Sequence, residues 1–364
     1  MHKDGFVINP VSNMSGVPLN RLVRALAVSL PFAVFSHAAT KPMIFWLDYL
    51  GTVYSSNPDG SNRQTLASGS AQGLNDPDGV AVDTSTGKVY WSNMAEGTPN
   101  GSLQRANLDG SNIEVVVKPG GTHTPKQIQL DLVHGKIYWS DRDGLKIQRC
   151  NLDGSVNEVL VSGLQNPVGM ELDIAKGYFY WSDRYAGTIN RAPFVMPAGQ
   201  TSANRKDIDT LMKGLTRPID LGLDLAKGQI YWTDRDEGTV HRAGLEIPAG
   251  QTAANRKDIE TLIQKLSTPI GISLDLVGGK IYYTELPGSV GRANLDGSGA
   301  ETLWKKTGSA SFTGIVFAQV LVNSVAIHVG SSVLQGQSVG DLSLLPTQVN
   351  ALGRESPASR MFAR

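Results

Sequence analysis

A short aromatic motif recurs along this chain of 364 residues and constrains its fold more than any other feature. The motif reads IFWLD at 44–48, VYWSN at 89–93, IYWSD at 137–141, FYWSD at 179–183, IYWTD at 230–234 and IYYTE at 281–285. Successive copies are 45, 48, 42, 51 and 51 residues apart. Self-similarity at such a period indicates a repeat architecture rather than an active site used once. The recurring aromatic position holds Trp46, Trp91, Trp139, Trp181, Trp232 and Tyr283.

Each complete repeat contains four short segments in a fixed order. A proline opens an apolar segment that ends in aspartate, as in PVGMELD at 167–173, and the aromatic segment follows. A third segment ends near an arginine, often before an NLDGS turn, and a fourth apolar segment completes the repeat. Asp-Gly favours a tight turn between strands. Six copies of four short strands predict an all-β, six-bladed β-propeller with four antiparallel strands per blade.

The two ends of the repeat array are complementary. The first repeat begins at its aromatic segment and has no proline-led segment before it. The segment SFTGIVF at 311–317 follows the sixth repeat and matches the missing strand. We therefore expect this C-terminal strand to join the first blade, which closes the ring and removes its open edges.

These residues carry a family resemblance. The six motif copies, with NLDGS turns between them, resemble the YWTD repeats (class B repeats) of low-density-lipoprotein-receptor-like proteins over about residues 41–317. The resemblance implies a six-bladed, protein-binding propeller. Receptors of this family add cysteine-rich modules and a membrane anchor, which this sequence does not show, so the chain looks like a stand-alone secreted relative.

Charged residues recur with the motif. Asp141, Asp183 and Asp234 match the repeat aspartate of the family, and Arg149, Arg191 and Arg242 each follow eight residues later. One interpretation is an Asp–Arg or Asp–backbone bond that ties strands together; the other is a ring of charged groups that bind a ligand. Because the pairs recur evenly around the ring, we favour the structural interpretation.

The regions outside the repeats predict three parts. Residues 1–38 contain two arginines, an apolar run and small residues at the cleavage positions, which is typical of a signal peptide. Residues 39–317 form the propeller. Residues 318–364 do not repeat, and we expect this tail to be poorly packed or disordered. We expect a secreted or extracellular protein (periplasmic if the source is bacterial) and a monomer without a membrane span.

Composition argues against several function classes. The 33 basic and 33 acidic residues balance, so nucleic acid is not an expected partner. Cys150 is the single cysteine, and no two of the six histidines have metal-ligand spacing. We therefore expect no cofactor, no metal and no catalytic residues.

One face of the ring is the candidate ligand-binding surface. In a propeller the turns after the aromatic strands share a face with the loops before the prolines. Arginine and tyrosine are enriched at binding hot spots. The candidate residues are Tyr49, Asn93, Arg142, Asp143, Arg184, Tyr185, Arg235, Asp236 and Glu237, with the loop 118–125.

Two alternatives remain open from the sequence. Near-identical inserts at 196–211 and 247–262 reflect either a recent duplication or a docking ledge that uses Arg205, Lys206, Arg256 and Lys257. Asp220 is an unusual acid within an inner strand, without an evident glutamate or asparagine companion. The sequence thus favours a secreted, non-enzymatic module that binds a protein or glycan; the alternative is a metal-dependent lactonase or esterase with a divalent ion in the central channel.

Overall fold

The computed structural model describes the backbone of residues 34–329 and 332–336 and the side chains of residues 39–321. The predicted signal peptide, apart from its last residues, and most of the predicted tail lie outside the described residues. Residues Thr40–Leu321 form a compact unit that is separate from the two chain ends. Beyond that unit, Val325–Val329 pairs antiparallel with Ser332–Gly336.

The regular secondary structure of the described chain consists of β-strands and one short 3-10 turn at Ser70–Gln72. The strands are, in chain order, β1 (Val34–Asp48), β2 (Thr52–Ser56), β3 (Gln64–Ser68), β4 (Pro77–Asp83), β5 (Lys88–Asn93), β6 (Gly101–Asn107), β7 (Glu114–Thr122), β8 (Pro125–Asp131), β9 (Lys136–Asp141), β10 (Lys146–Asn151), β11 (Glu158–Ser162), β12 (Pro167–Asp173), β13 (Tyr178–Asp183), β14 (Thr188–Pro193), β15 (Asp209–Lys213), β16 (Pro218–Asp224), β17 (Gln229–Asp234), β18 (Thr239–Gly244), β19 (Glu260–Ile263), β20 (Pro269–Asp275), β21 (Lys280–Glu285), β22 (Ser289–Asn294), β23 (Glu301–Lys305), β24 (Phe312–Val329) and β25 (Ser332–Gly336).

The strands form six sheets, which confirms the predicted propeller. Five sheets each contain four consecutive strands, from β4–β7 to β20–β23. The sheet of blade 1 has the order β24-β1-β2-β3, with β25 beside β24. The C-terminal strand β24 therefore takes the inner position of the first blade, as the sequence predicted. No helix among the described residues is long and apolar enough to cross a bilayer.

The aromatic motif fills the seams between blades. Successive strand residues point to opposite faces, so each tyrosine and the tryptophan after it enter different seams. The seam between blades 2 and 3 joins Tyr90 to Trp139, and the next seam joins Tyr138 to Trp181. The ring closes in the same way, because Tyr282 of blade 6 shares a cluster with Trp46 of blade 1. Burial of one such ring contributes roughly 2–3 kcal/mol.

The inner strand of each blade is the proline-led strand or its equivalent, namely β24, β4, β8, β12, β16 and β20 for blades 1 to 6. The serine or threonine of the motif links the inner strands of neighbouring blades through its hydroxyl group. Ser182 Oγ accepts a hydrogen bond from the Gly169 N–H of its own blade (2.8 Å) and donates to the Ile219 carbonyl of the next blade (2.5 Å). We call these contacts hydroxyl bridges. Side chains of Ser92, Ser140, Thr233 and Thr284 donate to the next blade in the same way, and Thr313 donates from blade 1 to Pro77 of blade 2.

The Asp-Gly turns hold the outer strands together where the sequence predicted tight turns. Gly154 adopts a φ of +84°, which favours glycine. A β-carbon there would lie 1.8 Å from the Val116 carbonyl oxygen of the preceding blade. Glycine is therefore required both by the turn and by the close approach of two blades.

Replacing Ser182 by alanine tests the hydroxyl bridge. The change leaves a buried N–H and a buried carbonyl without their partner, each costing roughly 1–3 kcal/mol. We expect Ser182→Ala to lower the free energy of unfolding by about 2–4 kcal/mol in chemical denaturation. Ser182→Thr is the matched control, since blades 5 and 6 use threonine at this position. Equal stability of the alanine and threonine variants would contradict this role.

Candidate functional site

The second residue of each inner strand faces one end of the central axis. Together with residues after the aromatic strands, these positions enclose a cavity of about 370 Å³. We call it the mouth cavity. All six blades contribute to its lining, which consists of Tyr49, Asp78, Met94, Glu96, Lys126, Arg142, Val168, Arg184, Ile219, Arg235, Ile270, Leu286, Ser311 and Thr313. Four of the residues predicted for the candidate face, Tyr49, Arg142, Arg184 and Arg235, thus meet here.

One side of the mouth cavity is internally charge-paired. Lys126 Nζ lies 2.5 Å from Asp78 Oδ2 and is buried with it. Burial lowers the pKa of Lys126, and the positive charge of Arg142 lowers it further, against the attraction of Asp78. Arg142 pairs with Glu96 at 2.9 Å and with Asp143 at 2.8 Å. Burial opposes the Arg142 charge, but these two carboxylates outweigh it and raise its pKa.

The other side of the mouth cavity carries less compensated charge. Arg184 donates from Nη2 to the hydroxyl of Tyr185 at 3.1 Å. Neither Arg184 nor Arg235 has a carboxylate within 4.0 Å among the described side chains. The apolar side chains of Val168, Ile219 and Ile270 form a small cluster beside them. The arrangement combines positive charge with an apolar wall.

The remaining predicted face residues occupy the rim or the interior. Tyr185 is 58% exposed and lies against the guanidinium groups of Arg184 and Arg217 at 4.7 and 5.2 Å. Asp236 pairs with Arg217 at 3.0 Å on the same rim. Asn93 is buried, and its side-chain amide donates to Gln104 inside the blade at 2.9 Å. Asn93 is therefore not part of the surface that a ligand could reach.

Sequence reasoning missed Lys126, Asp78 and Glu96. The first two occupy the second inner-strand position, where other blades have valine, isoleucine or threonine. This departure from the repeat is visible in the sequence and could have identified both residues. Glu96 lies in the turn after β5, which departs from the short turns of the other repeats.

A second cavity lies at the opposite end of the axis. It has a volume of about 210 Å³ and contains Asp220 and Glu171. Asp220 accepts hydrogen bonds from the backbone N–H groups of Leu221 (2.9 Å) and Ile272 (3.1 Å). Burial raises the pKa of both carboxyl groups to about 8, and repulsion from Asp220 adds to the shift at Glu171. The structure thus gives Asp220 the glutamate companion that the sequence did not reveal.

This pair does not amount to a metal centre. Within residues 39–321, no group of three or more His, Cys, Asp or Glu side chains is placed to hold a metal ion. A hydrolytic divalent ion needs about three protein ligands in deprotonated form. Asp220 and Glu171 supply two such ligands.

The repeat aspartates and arginines stabilise the blades without pairing with each other. Asp141 accepts from the backbone N–H groups of Thr124 (2.7 Å) and Gly144 (3.2 Å), so it joins the loop before the inner strand to the turn after β9. Arg149 lies three residues further along the hairpin and pairs with Glu158 at 2.7 Å. The Asp–backbone alternative is therefore found and the Asp–Arg alternative is not. Equivalent pairs are Arg105–Glu114, Arg191–Asp209, Arg242–Glu260 and Arg292–Glu301.

The two inserts clamp neighbouring blades. The Arg205 side chain is fully buried, pairs with Asp207 at 2.7 Å, and donates to the carbonyls of Pro193 (2.8 Å) and Leu160 (3.3 Å). Leu160 belongs to the preceding blade. Arg256 repeats the arrangement one blade later with Asp258, Gly244 and Leu211. The two arginines are therefore not available to a ligand. Of the four basic residues of the predicted docking ledge, only Lys206 and Lys257 are exposed.

Comparisons with known proteins agree with this geometry. No family model matches the chain. The chain is 34% identical over 293 residues to low-density lipoprotein receptor-related protein 1 of Pyricularia oryzae, covering 73% of this chain and 92% of that protein. It is 31% identical over 249 residues to the 3-hydroxyacyl-CoA dehydrogenase-like protein LAM1 of Cochliobolus heterostrophus, covering 61% of this chain but only 52% of LAM1. A chain in the crystal structure of a nidogen/laminin complex superposes with a TM-score of 0.62 over 76% of this chain and 98% of that chain, at 21% identity, which shows the shared fold alone.

The carboxyl pair of the second cavity predicts a pH-dependent stability. Ordinary pKa values near 4 apply in the unfolded chain, so between about pH 4 and pH 8 only the folded state keeps these protons. The stability that these two carboxyl groups contribute is therefore fully present below about pH 4 and is lost as the pH rises towards 8. We expect Glu171→Gln to lose less stability than the parent between pH 5 and pH 9, by about 1 kcal/mol or more, since one pKa unit corresponds to about 1.4 kcal/mol.

Thermal and denaturant unfolding at several pH values measure this effect. Lys213→Gln is the control, since Lys213 is exposed and has no salt bridge among the described residues, and it should follow the parent curve. A parent stability that rises from pH 5 to pH 8, unaffected by Glu171→Gln, would show that the carboxyl groups are ionised in the folded state.

The insert clamp makes a separate prediction. Arg205→Ala removes one member of a buried, hydrogen-bonded pair, and we expect a loss of about 3–5 kcal/mol in the free energy of unfolding. The adjacent Lys206→Ala is the matched control, with an expected change within about 0.5 kcal/mol. Similar stabilities of the two variants would refute the clamp.

Proposed function

Because the chain belongs to the low-density-lipoprotein-receptor-related family of YWTD-type propellers, we propose that it is a non-enzymatic module that binds a protein ligand at the mouth cavity. The proposed contact surface consists of Tyr49, Arg142, Asp143, Arg184, Tyr185, Arg235 and Asp236. The observation that carries this proposal is the convergence of arginine and tyrosine side chains from several blades on one concave site.

The chemistry of the mouth cavity supports recognition rather than catalysis. Arginine and tyrosine dominate binding hot spots because they combine large contact area with directional hydrogen bonds. Tyr185 is held between two guanidinium groups, so the exposed ring is already oriented for contact. An ordered side chain loses less conformational entropy when a ligand binds.

We place this activity outside the cell. The apolar segment at 25–35, preceded by Arg21 and Arg24, supports export of the chain. The name of the receptor-related relative is consistent with the same compartment.

An enzymatic role has weaker support. The second cavity offers Asp220 and Glu171, which favours a channel hydrolase over other enzymes but supplies two carboxyl groups where a divalent ion needs about three ligands. The dehydrogenase-like name of LAM1 does not extend to this chain, which spans about half of that protein. The Rossmann fold that binds nicotinamide dinucleotides is built from strand–turn–helix units, whereas the described residues form strands with one 3-10 turn.

Site-specific photo-crosslinking tests the proposed face. A photoreactive residue in place of Tyr185 on the full chain lies at the mouth, whereas one in place of Val156 lies in an exposed turn at the opposite end of the blades. After incubation with the extracellular medium of the source cells, we expect a crosslinked protein from position 185 that is absent from position 156.

The crosslinked site on the partner is then mapped by mass spectrometry. A single partner segment joined to position 185 supports the proposal. Crosslinks that form only at position 156, or a hydrolytic activity that a chelator abolishes, would contradict it.

A further inference from the structure

Two arginines at the mouth cavity differ from the other partly or fully buried arginines of the described chain. Nine arginines have a carboxylate oxygen within 4.0 Å: Arg105, Arg142, Arg149, Arg191, Arg205, Arg217, Arg242, Arg256 and Arg292. Arg184 and Arg235 line the cavity without such a partner among the described side chains. Since this protein pairs its partly buried arginines so consistently, the exception marks a place where the described part of the chain supplies no partner carboxylate.

One nitrogen of each of these two guanidinium groups is shielded from solvent. The Nε atoms of Arg184 and Arg235 are buried and have no hydrogen-bond partner within the described residues. Burial lowers the pKa of Arg184, and the charges of Arg142 and Arg235 lower it further, against the attraction of Tyr185. A buried N–H without an acceptor is unfavourable. An anion that accepts from these groups would relieve both the missing hydrogen bonds and the mutual repulsion.

The surroundings restrict the shape of that anion. Val168, Ile219 and Ile270 form an apolar wall together with Leu286 beside the two arginines. A cavity of about 370 Å³ at the axis admits the tip of a polypeptide loop, with one acidic side chain and a flanking apolar side chain. The low polarity of the wall also strengthens a charge-assisted hydrogen bond.

We propose that the mouth cavity binds the carboxylate of an aspartate or glutamate side chain on a protruding loop of a partner protein, with Arg184 and Arg235 as the hydrogen-bond donors. This inference rests on the proposed function and specifies the chemistry of the ligand. The positive charge is confined to blades 4 and 5, because Lys126 and Arg142 are already paired with Asp78, Glu96 and Asp143.

A polyanion fits this distribution poorly. A sulfated glycan or nucleic acid needs an extended basic surface, but Glu96 and Asp143 on the opposite side of the mouth would repel it. The formal net charge of the whole chain is zero. A single carboxylate matches two adjacent arginines better than a chain of anionic groups does.

A pair of blocked peptides tests the proposal on the full chain. The probe is acetyl-Ala-Leu-Asp-Leu-Ala-amide, and its control has asparagine in place of aspartate. Arginine Nε–H signals are followed by NMR during titration and assigned with Arg184→Lys and Arg235→Lys. We expect the aspartate peptide to shift the Arg184 and Arg235 signals and to bind at least about 10-fold more tightly than the asparagine peptide, because a charge-assisted hydrogen bond is about twice as strong as a neutral one.

Substitutions identify the donors. Arg184→Gln and Arg235→Gln should each weaken binding of the aspartate peptide by about 10-fold or more. Arg63→Gln is the matched control: this arginine stacks on Trp304 at 4.2 Å, outside the mouth cavity, and its loss should leave binding unchanged. Unchanged circular dichroism of each variant confirms folding.

Three results would overturn the inference. The first is equal or undetectable binding of the two peptides, or binding that Arg184→Gln and Arg235→Gln leave unchanged. The second is a shift of the same arginine signals by inorganic sulfate at equal concentration, which indicates a general anion site. The third is tighter binding of a heparin hexasaccharide, which indicates a glycan ligand. If the peptides fail while position 185 still crosslinks one partner segment, the carboxylate inference falls and the proposed function stands; if both fail, both fall.

Discussion

The hydroxyl bridge between neighbouring inner strands is the contact on which the rest of this structure depends. At five seams a serine or threonine of the aromatic motif donates to a carbonyl of the next inner strand, and Thr313 makes the corresponding link from blade 1 to Pro77. The aromatic side chains supply most of the burial energy, but apolar packing is not directional. The hydroxyl groups fix which residue of one inner strand faces which residue of the next. That alignment determines which side chains meet at the axis.

The polar groups that line the two axial cavities include departures from the repeat. Where blades share a residue, as with the buried tryptophans or the motif aspartates, the residue builds the scaffold. Where a blade differs, as with Lys126 at the mouth or Asp220 in the second cavity, a polar group enters the axis. The mouth cavity therefore has a charged side and an apolar side, although six similar blades surround it. A symmetric scaffold can present an asymmetric site because only one position per strand has to change.

Much of this architecture is predictable from the sequence. The repeat interval indicates six blades, and the missing first strand indicates closure by the segment that begins at Phe312. The turns that carry Arg142, Arg184 and Arg235 follow equivalent strands, so their common face follows from strand order alone. These inferences succeed because they depend on periodicity, which a single sequence displays directly.

The parts that escaped prediction depend on side-chain contacts between strands, within a blade or across a seam. Asn93 occupies the same motif position as the repeat aspartates, yet whether its amide faces inward depends on Gln104 in the neighbouring strand. Glu171 and Asp220 are 49 residues apart and share a cavity only because the ring brings two inner strands together. The inserts present charged sequences, but burial of Arg205 depends on carbonyls of another blade. Such pairings depend on three-dimensional register and leave no periodic signal.

Hydrogen exchange of the full chain, read by mass spectrometry, tests most directly whether the ring is closed and held as one unit. If the bridges and aromatic seams join all six blades, the inner and aromatic strands of blade 1, Phe312–Ile315 and Ile44–Leu47, should exchange as slowly as Phe179–Ser182 in blade 4, because both then open only when the ring unfolds. Exchange of the blade 1 strands that is faster by orders of magnitude, with blade 4 still protected, would show an open ring and contradict a mouth assembled from six blades.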